Sequence, residues 1–232
     1  MDISPLFIVV FVAASIGGTA LMLLAVRAGA RSQEKYRALA QDRGWRYDHA
    51  PSTGGGASIT TFSDPGGSWL LELYSHSSST SGGSGSTRHY TEYRDSAPSI
   101  PRGMAVLGPE IPEKTKAMAD KMMGMMGGDI GTFFLNKITG GLGEEAAGLR
   151  SAEAPGPGHL MASAGAEDAL QDIRFAPELA NARAGRNQAQ QPIVMRGPFG
   201  LRVRIGHRLR KPEDIDAFVA LGRALSDNLA KG

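Results

Sequence analysis

The chain has 232 residues, a formal net charge of +2 and no cysteine. A chain of this length accommodates one folded domain with additional segments. Without cysteine it has no disulfide, no thiolate nucleophile and no Cys-ligated zinc site, and a nearly neutral charge argues against a general polyanion-binding protein.

A long apolar segment, residues 5–26, follows a short tail of residues 1–4 and contains no charged side chain. As a helix rising about 1.5 Å per residue it reaches about 33 Å, enough to cross a hydrocarbon core of about 30 Å. A signal peptide is the alternative, because the sequence at 28–30 resembles a cleavage site. No basic residue precedes the segment, however, and Arg27 and Arg31 flank that site, which favours an uncleaved transmembrane helix in contact with membrane lipid.

Basic residues lie on one side of this segment only. Those that follow it closely are Arg27, Arg31, Lys35, Arg37, Arg43 and Arg46. The positive-inside rule therefore predicts a single-pass protein of the inner (plasma) membrane with a cytoplasmic C-terminal domain. Small residues four apart, Ala13/Gly17 and Ala14/Gly18, would allow a homodimer through the span. Because no full GxxxG motif is present, ordinary span composition is the favoured interpretation.

Residues 27–44 predict a juxtamembrane helix that ends at Gly44. Residues 45–109 predict the first segment of a sheet. A hairpin is expected around the turn sequence at 64–67, with Trp69 and the alternate residues after it on one side.

Two further strands are expected in the first sheet segment, one over residues 88–94 and one from Met104. The serine- and glycine-rich sequence at 75–87 predicts a flexible loop.

Residues 110–158 predict a helical insert rich in methionine and glycine. Its methionines at 118, 122, 125 and 126 share one helical face. Such a face suits either an adaptable groove or membrane-touching surface, or an ordinary buried stripe, and the buried stripe is favoured. No phosphate-loop motif is present in the glycine-rich part.

Residues 159–232 predict a second sheet segment and a C-terminal helix. A helix broken at Pro177 precedes two strands that flank Gly197-Pro198, and the last helix begins at Pro212 with an apolar stripe. The predicted fold class is therefore α+β: an N-terminal transmembrane helix, then an antiparallel sheet domain closed by a C-terminal helix.

The order of these parts resembles a group of uncharacterised bacterial membrane-anchored proteins that carry a domain of unknown function. The resemblance rests on the N-terminal span and on "ALAQDRGWRYD", "WLLELY", "LMASAGAEDALQDIRFAPELA", "GLRVRI" and "IDAFVALGRAL". It covers most of the chain as a pattern. It implies a bacterial membrane protein and no particular activity.

The most basic segment, residues 196–211, contributes +6 to a net charge of +2, so the rest of the chain carries −4. Within it, residues 200–210 read as one strand with period two, whose arginines form an outward face that Lys211 extends. These candidate partner- or lipid-binding residues are Arg202, Arg204, Arg208, Arg210 and Lys211. A merely solvated strand face is the main alternative. Nucleic acid is disfavoured, because Phe199 is the single aromatic residue nearby.

No catalytic residue, metal site or cofactor is predicted. The five histidines are scattered, and although His76 and His89 could approach each other across a loop, no further ligand completes a zinc site. His207 is expected to be a satisfied core residue, since it falls on the apolar side of its strand. The serine-rich loop lacks the rigid neighbours and the base that a nucleophile requires.

These observations predict a membrane-anchored accessory protein whose cytoplasmic domain binds a protein partner or the anionic leaflet. Juxtamembrane basic residues gain about 1 kcal/mol each near such a surface. The alternative hypothesis is an enzyme that acts on a lipid or envelope precursor at the membrane surface, which would require a pocket with convergent polar groups.

Overall fold

The structure, a computed structural model, describes residues 27, 29–52, 57–78, 86–109, 148–152 and 156–231. The span predicted over 5–26, the methionine-rich face and the tip of the serine-rich loop lie outside the described residues. Across the described ranges, no helix combines the length and the apolar character needed to cross a bilayer.

In the described part of the chain, nine strands form one sheet, and helices precede, interrupt and follow them in sequence. Helix α1 covers 29–43. The strands are β1 (Arg46–Ala50), β2 (Ala57–Ser63), β3 (Trp69–Ser78), β4 (Ser86–Asp95), β5 (Ala105–Gly108), β6 (Arg150–Ser151), β7 (His159–Ala162), β8 (Ile193–Gly197) and β9 (Gly200–Ile205). The later helices are α2 (Gln171–Arg174), α3 (Pro177–Arg183) and α4 (Pro212–Lys231), with a 3₁₀ turn at Gln188–Gln190.

All pairings between the described strands are antiparallel, in the order β1-β2-β3-β4-β9-β8-β5-β7-β6. The first four strands are neighbours in sequence and in space. The other five strands, which we call the second group, join these four through the pairing of β4 with β9. In that pairing Thr91 is the register partner of Ile205. The α+β class, the antiparallel sheet and the closing C-terminal helix are confirmed.

The predicted hairpin is present between β2 and β3. The Asp64 carboxylate accepts hydrogen bonds from the backbone N–H of Gly66 at 2.9 Å and from the Ser68 hydroxyl at 3.1 Å, which fixes the turn. The β3–β4 ladder continues to the pair Ser78 and Ser86, so both strands extend into the sequence that was predicted to be a loop. The ladder continues there from the β-prone pairs Leu73–Thr91 and Tyr74–Tyr90.

One face of the sheet carries the helices, and we call it the helical face. Its central row of register partners runs from β1 to β7 through Tyr47, Phe62, Leu71, Tyr93, Val203, Val194, Leu107 and Leu160. Helix α1 packs Tyr36 and Ala40 into this core, and α4 adds the predicted stripe that includes Ile215, Phe218 and Leu225. A smaller apolar cluster around Val106 and Met195 lies on the opposite face, which we call the second face.

Helix α1 runs antiparallel to β1. Gln33, near its beginning, contacts both Tyr47 and His49, whereas Trp45, just after its end, packs edge-on against Trp69 at 5.1 Å between ring centroids. The hairpin turn that precedes Trp69 therefore lies at the far end of the sheet from the beginning of α1.

Candidate functional site

The five basic candidate residues do not share one surface. Strand β9 ends at Ile205, so the prediction of a continuous alternating strand over 200–210 is wrong. The Thr91 hydroxyl, opposite Ile205, donates to the carbonyl of His207 at 2.9 Å and accepts from the N–H of Leu209 at 3.0 Å. The Thr91 hydroxyl thus replaces the backbone groups that would otherwise pair with residues 207 and 209. After Ile205 the chain leaves the sheet and passes over the helical face.

Arg204 is buried on the second face and is not an outward cation. Only 8% of the residue is exposed. Its guanidinium lies 3.4 Å from the Glu92 carboxylate and 3.9 Å from the centre of the Tyr90 ring. Burial lowers the pKa of Arg204, and the charge of Glu92 opposes that shift. The prediction that Arg204 faces outward, where a membrane or a partner could contact it, is therefore wrong.

The neighbours of Arg204 form a closed charge network. Glu92, 2% exposed, accepts a 2.5 Å hydrogen bond from Arg94 Nε, and Arg94 also lies 3.6 Å from Glu72. Tyr90 donates to Glu72 at 2.5 Å and stacks on Tyr74 with 4.6 Å between ring centroids. Because these charges are paired with one another, the network stabilises the sheet and leaves little charge for a ligand.

Arg202 also lies on the second face, where its guanidinium covers the Phe199 ring at 4.0 Å. The other candidates, Arg208, Arg210 and Lys211, follow β9 on the helical side. Arg202 and this second group therefore cannot bind one flat surface together, because the sheet separates them.

The segment 208–211 is held directly against α1. The Tyr36 hydroxyl lies 3.2 Å from the carbonyl of Arg210 and 3.5 Å from that of Leu209, and it donates to them. Arg210 and Lys211 are exposed, and Arg208 is half-buried. Farther along α1, Arg43 pairs with Asp216 of α4 at 2.6 Å. Helix α1 thus lies beside the segment 208–211 and the beginning of α4.

Arg208 joins a chain of polar side chains beneath α1. Its Nη2 donates to Thr60 Oγ1 at 3.0 Å, and His49 Nδ1 lies 2.9 Å from the same oxygen. His49 Nε2 lies 3.1 Å from Gln33 Nε2, and Tyr47 donates to Gln33 Oε1. With a proton on Nδ1 of a neutral His49, every contact in this chain has one donor and one acceptor. Protonation of Nε2 would oppose the Gln33 amide.

Acid is expected to destabilise the fold through His49. Burial, and next the charge of Arg208, lower the pKa of His49 below its usual 6.5. Below about pH 6.5, His49 becomes protonated in the unfolded chain but stays neutral in the folded chain. The free energy of unfolding therefore falls with falling pH. Urea unfolding between about pH 7.5 and about pH 5 should show a shallower pH dependence in His49→Gln than in the wild type. Parallel curves would contradict this role of His49.

The remaining histidines form no metal site. The register places His76 opposite Arg88 and His89 opposite Ser75, so their side chains point to different faces. Among the described residues no group of three or more His, Cys, Asp or Glu side chains could hold a metal ion. His207 lies beyond the end of β9, and its buried Nδ1 has no hydrogen-bond partner, so the prediction of a satisfied core histidine is wrong.

An apolar groove of about 470 Å³ lies between α3 and α4. Phe218, Leu221 and several alanines line it, with Glu178, Arg186 and Asp214 among the lining residues. Its lining contains no serine, threonine or lysine that could act as a nucleophile. The enzyme hypothesis therefore stays a prediction.

No known protein family matches this sequence, and neither a curated protein nor a solved structure is significantly similar to the chain. The resemblance to membrane-anchored bacterial proteins therefore stays a prediction.

Sequence reasoning missed four residues that surround Arg208: Gln33, Tyr36, His49 and Thr60. They come from α1, β1 and β2, more than a hundred positions before the basic segment. The sequence pattern placed Tyr36 on the apolar face of a helix. It did not indicate which group the Tyr36 hydroxyl would contact. The single sequence signal for this site was the basic segment itself.

Proposed function

We propose that this is a membrane-anchored accessory protein whose domain docks against the anionic leaflet through a basic surface beside α1. The proposed surface consists of Arg31, Lys35, Arg37, Arg210 and Lys211, and we call it the α1 basic surface. The observation that carries the proposal is the contact of Tyr36 with the carbonyls of Leu209 and Arg210. That contact joins the C-terminal basic segment to the helix that follows residues 5–26.

Helix geometry sets how α1 must lie for this docking. Tyr36 lies seven residues after Gly29, about 10 Å along the helix axis. Surface charges act over a Debye length of about 8 Å at physiological ionic strength. If residues 5–26 span the bilayer, Arg210 and Lys211 therefore come within the range where each basic residue gains about 1 kcal/mol when α1 tilts toward the leaflet. Three acids, Glu34, Glu213 and Asp214, lie within three residues of these five basic residues, so basic residues remain in excess there.

The topology is tested by protease digestion of intact and lysed spheroplasts. Protection of the C-terminal domain until lysis is the expected result, because the charge bias places it on the cytoplasmic side. Digestion in intact spheroplasts would contradict the cytoplasmic orientation and with it docking on that leaflet.

Docking is tested with the full chain in nanodiscs, and the absence of cysteine allows single labelling sites. A fluorophore at Gly206→Cys, next to the basic segment, should be quenched by headgroup-attached quenchers when the lipid is anionic. A fluorophore at Ser68→Cys, in the distant hairpin turn, is the matched control and should not be. Arg210→Gln/Lys211→Gln should lower the docked-to-undocked ratio roughly 30-fold, from about 1 kcal/mol per charge.

Salt provides a second control for docking. Quenching at Gly206→Cys should weaken at about 1 M salt, where the Debye length is about 3 Å. Equal quenching in neutral and anionic nanodiscs, with normal folding by circular dichroism, would refute leaflet docking.

A further inference from the structure

Most half-buried or buried arginines in the described part of the chain have several acceptors. Arg174 donates to the carbonyls of Gly156, Pro157 and Gly158 at 2.9 to 3.2 Å. Arg196 donates to two other backbone carbonyls, at 2.7 and 2.9 Å. The fold thus supplies these guanidinium groups with carbonyl acceptors, or with a carboxylate as for Arg204.

Arg208 departs from this pattern. Its one hydrogen bond to a described residue goes to the neutral hydroxyl of Thr60 at 3.0 Å. No described carboxylate lies within 4.0 Å of it. Its charged neighbour is the cation Arg210, and the other titratable groups that face it are the hydroxyls of Tyr36 and Tyr47 together with His49.

This arrangement is unfavourable for an isolated protein. Partial burial disfavours a guanidinium that has no counter-charge among the described residues, and the like charge of Arg210 adds to that cost. A third cation, Arg37, lies 5.9 Å from the Tyr47 ring. A bound anion would offset these terms, because it would supply both the missing charge and the missing acceptors.

We infer that Arg208 is the centre of a phosphate-binding site, and that its occupant is the phosphate group of an anionic lipid headgroup. A planar guanidinium fork matches two phosphate oxygens, which a lysine ammonium does not. Arg210 and Arg37 add attraction at longer range. This inference rests on the proposed leaflet docking, and it assigns the specific contact to Arg208 and the diffuse attraction to the exposed cations.

The first arm of the test measures phosphate alone. The full chain, labelled at Gly206→Cys in nanodiscs of neutral phosphatidylcholine, is titrated with inorganic phosphate against chloride of matched ionic strength. Saturable binding is expected, and Arg208→Lys should weaken it at least tenfold, about 1.4 kcal/mol. Arg102→Lys, the same change at an exposed arginine outside this site and outside the α1 basic surface, should leave it within about twofold.

Thr60→Val separates a binding role of Arg208 from a structural one. This variant keeps Arg208 and the side-chain shape but removes the one hydroxyl that Arg208 bonds, so phosphate binding should persist. A loss as large as in Arg208→Lys would mean that loop structure is responsible, and it would overturn the inference. Circular dichroism of each variant controls for folding.

The second arm identifies the source of the phosphate. The same variants are measured for docking on nanodiscs that contain phosphatidylglycerol. Weaker docking in Arg208→Lys but not in Arg102→Lys supports the headgroup. Weaker phosphate binding with unchanged docking would overturn the lipid assignment in favour of a soluble phosphate compound. If no form of the protein docks, leaflet docking itself fails, and the first arm still decides whether Arg208 binds phosphate. Unchanged binding in both arms would overturn the inference.

Discussion

Replacing Gly200 with alanine is expected to destabilise the domain by about 2–5 kcal/mol. Gly200 has a φ of +88°, where a non-glycine residue costs about 1–2 kcal/mol. A Cβ there would also lie 2.1 Å from the carbonyl oxygen of Asp95 and 2.6 Å from Ser96 Cα, and backbone cannot move away as a flexible side chain would. Overpacking of this kind adds a cost of about 1–3 kcal/mol.

Gly185→Ala is the matched control for this experiment. Gly185 has a φ of +68°, but its added Cβ would meet no atom within 4 Å. It should therefore show the conformational cost alone, about 1–2 kcal/mol. Urea unfolding followed by the fluorescence of Trp45 and Trp69 measures both variants. Equal losses at the two glycines would show that the β4–β9 junction tolerates the extra atom.

The second large effect is expected from Glu92→Gln, which should lower the free energy of unfolding by about 3–5 kcal/mol. Glu92 is the acid that Arg94 and Arg204 share, and it is 2% exposed. A neutral amide would leave the buried Arg204 without its carboxylate. The penalty of an uncompensated buried charge then exceeds the loss of a single hydrogen bond.

Two further variants define the origin of that loss. Asp42→Asn removes an acid 4.0 Å from Arg43 at the exposed end of α1, and a surface pair of this kind should cost less than about 1 kcal/mol. Arg204→Met combined with Glu92→Gln should recover part of the stability, because the unpaired cation is gone. A loss below 1 kcal/mol in Glu92→Gln alone would contradict a buried ionic network.

Local patterns were sufficient for most elements of this fold. The turn chemistry at Asp64, the alternation from Trp69 and the apolar stripe of α4 each depend on neighbouring residues, and each is present. The order of the second group of strands was beyond such reasoning. Strand β8 pairs with β5, and their register partners Val194 and Leu107 are brought together by the tertiary fold.

The candidate site shows the same division. Period two correctly placed Arg202 and Arg204 on one side of β9. Burial of Arg204 depends on Glu92, 112 positions earlier, and no local signal reports such a partner. The direction of Arg208 depends on Thr91, whose hydroxyl ends the ladder. Side chains from distant strands, and not the basic sequence itself, decide which arginines remain exposed.

The junction between β4 and β9 also has a consequence for how the protein is made. Strands β1 to β4 are complete once residue 95 has been synthesised, but the helix that covers Tyr93 begins at Pro212. At about 5–20 residues per second, translation leaves this apolar sheet face without its helix for roughly ten seconds. During that interval an exposed hydrophobic face and an open strand edge favour aggregation of the nascent chain.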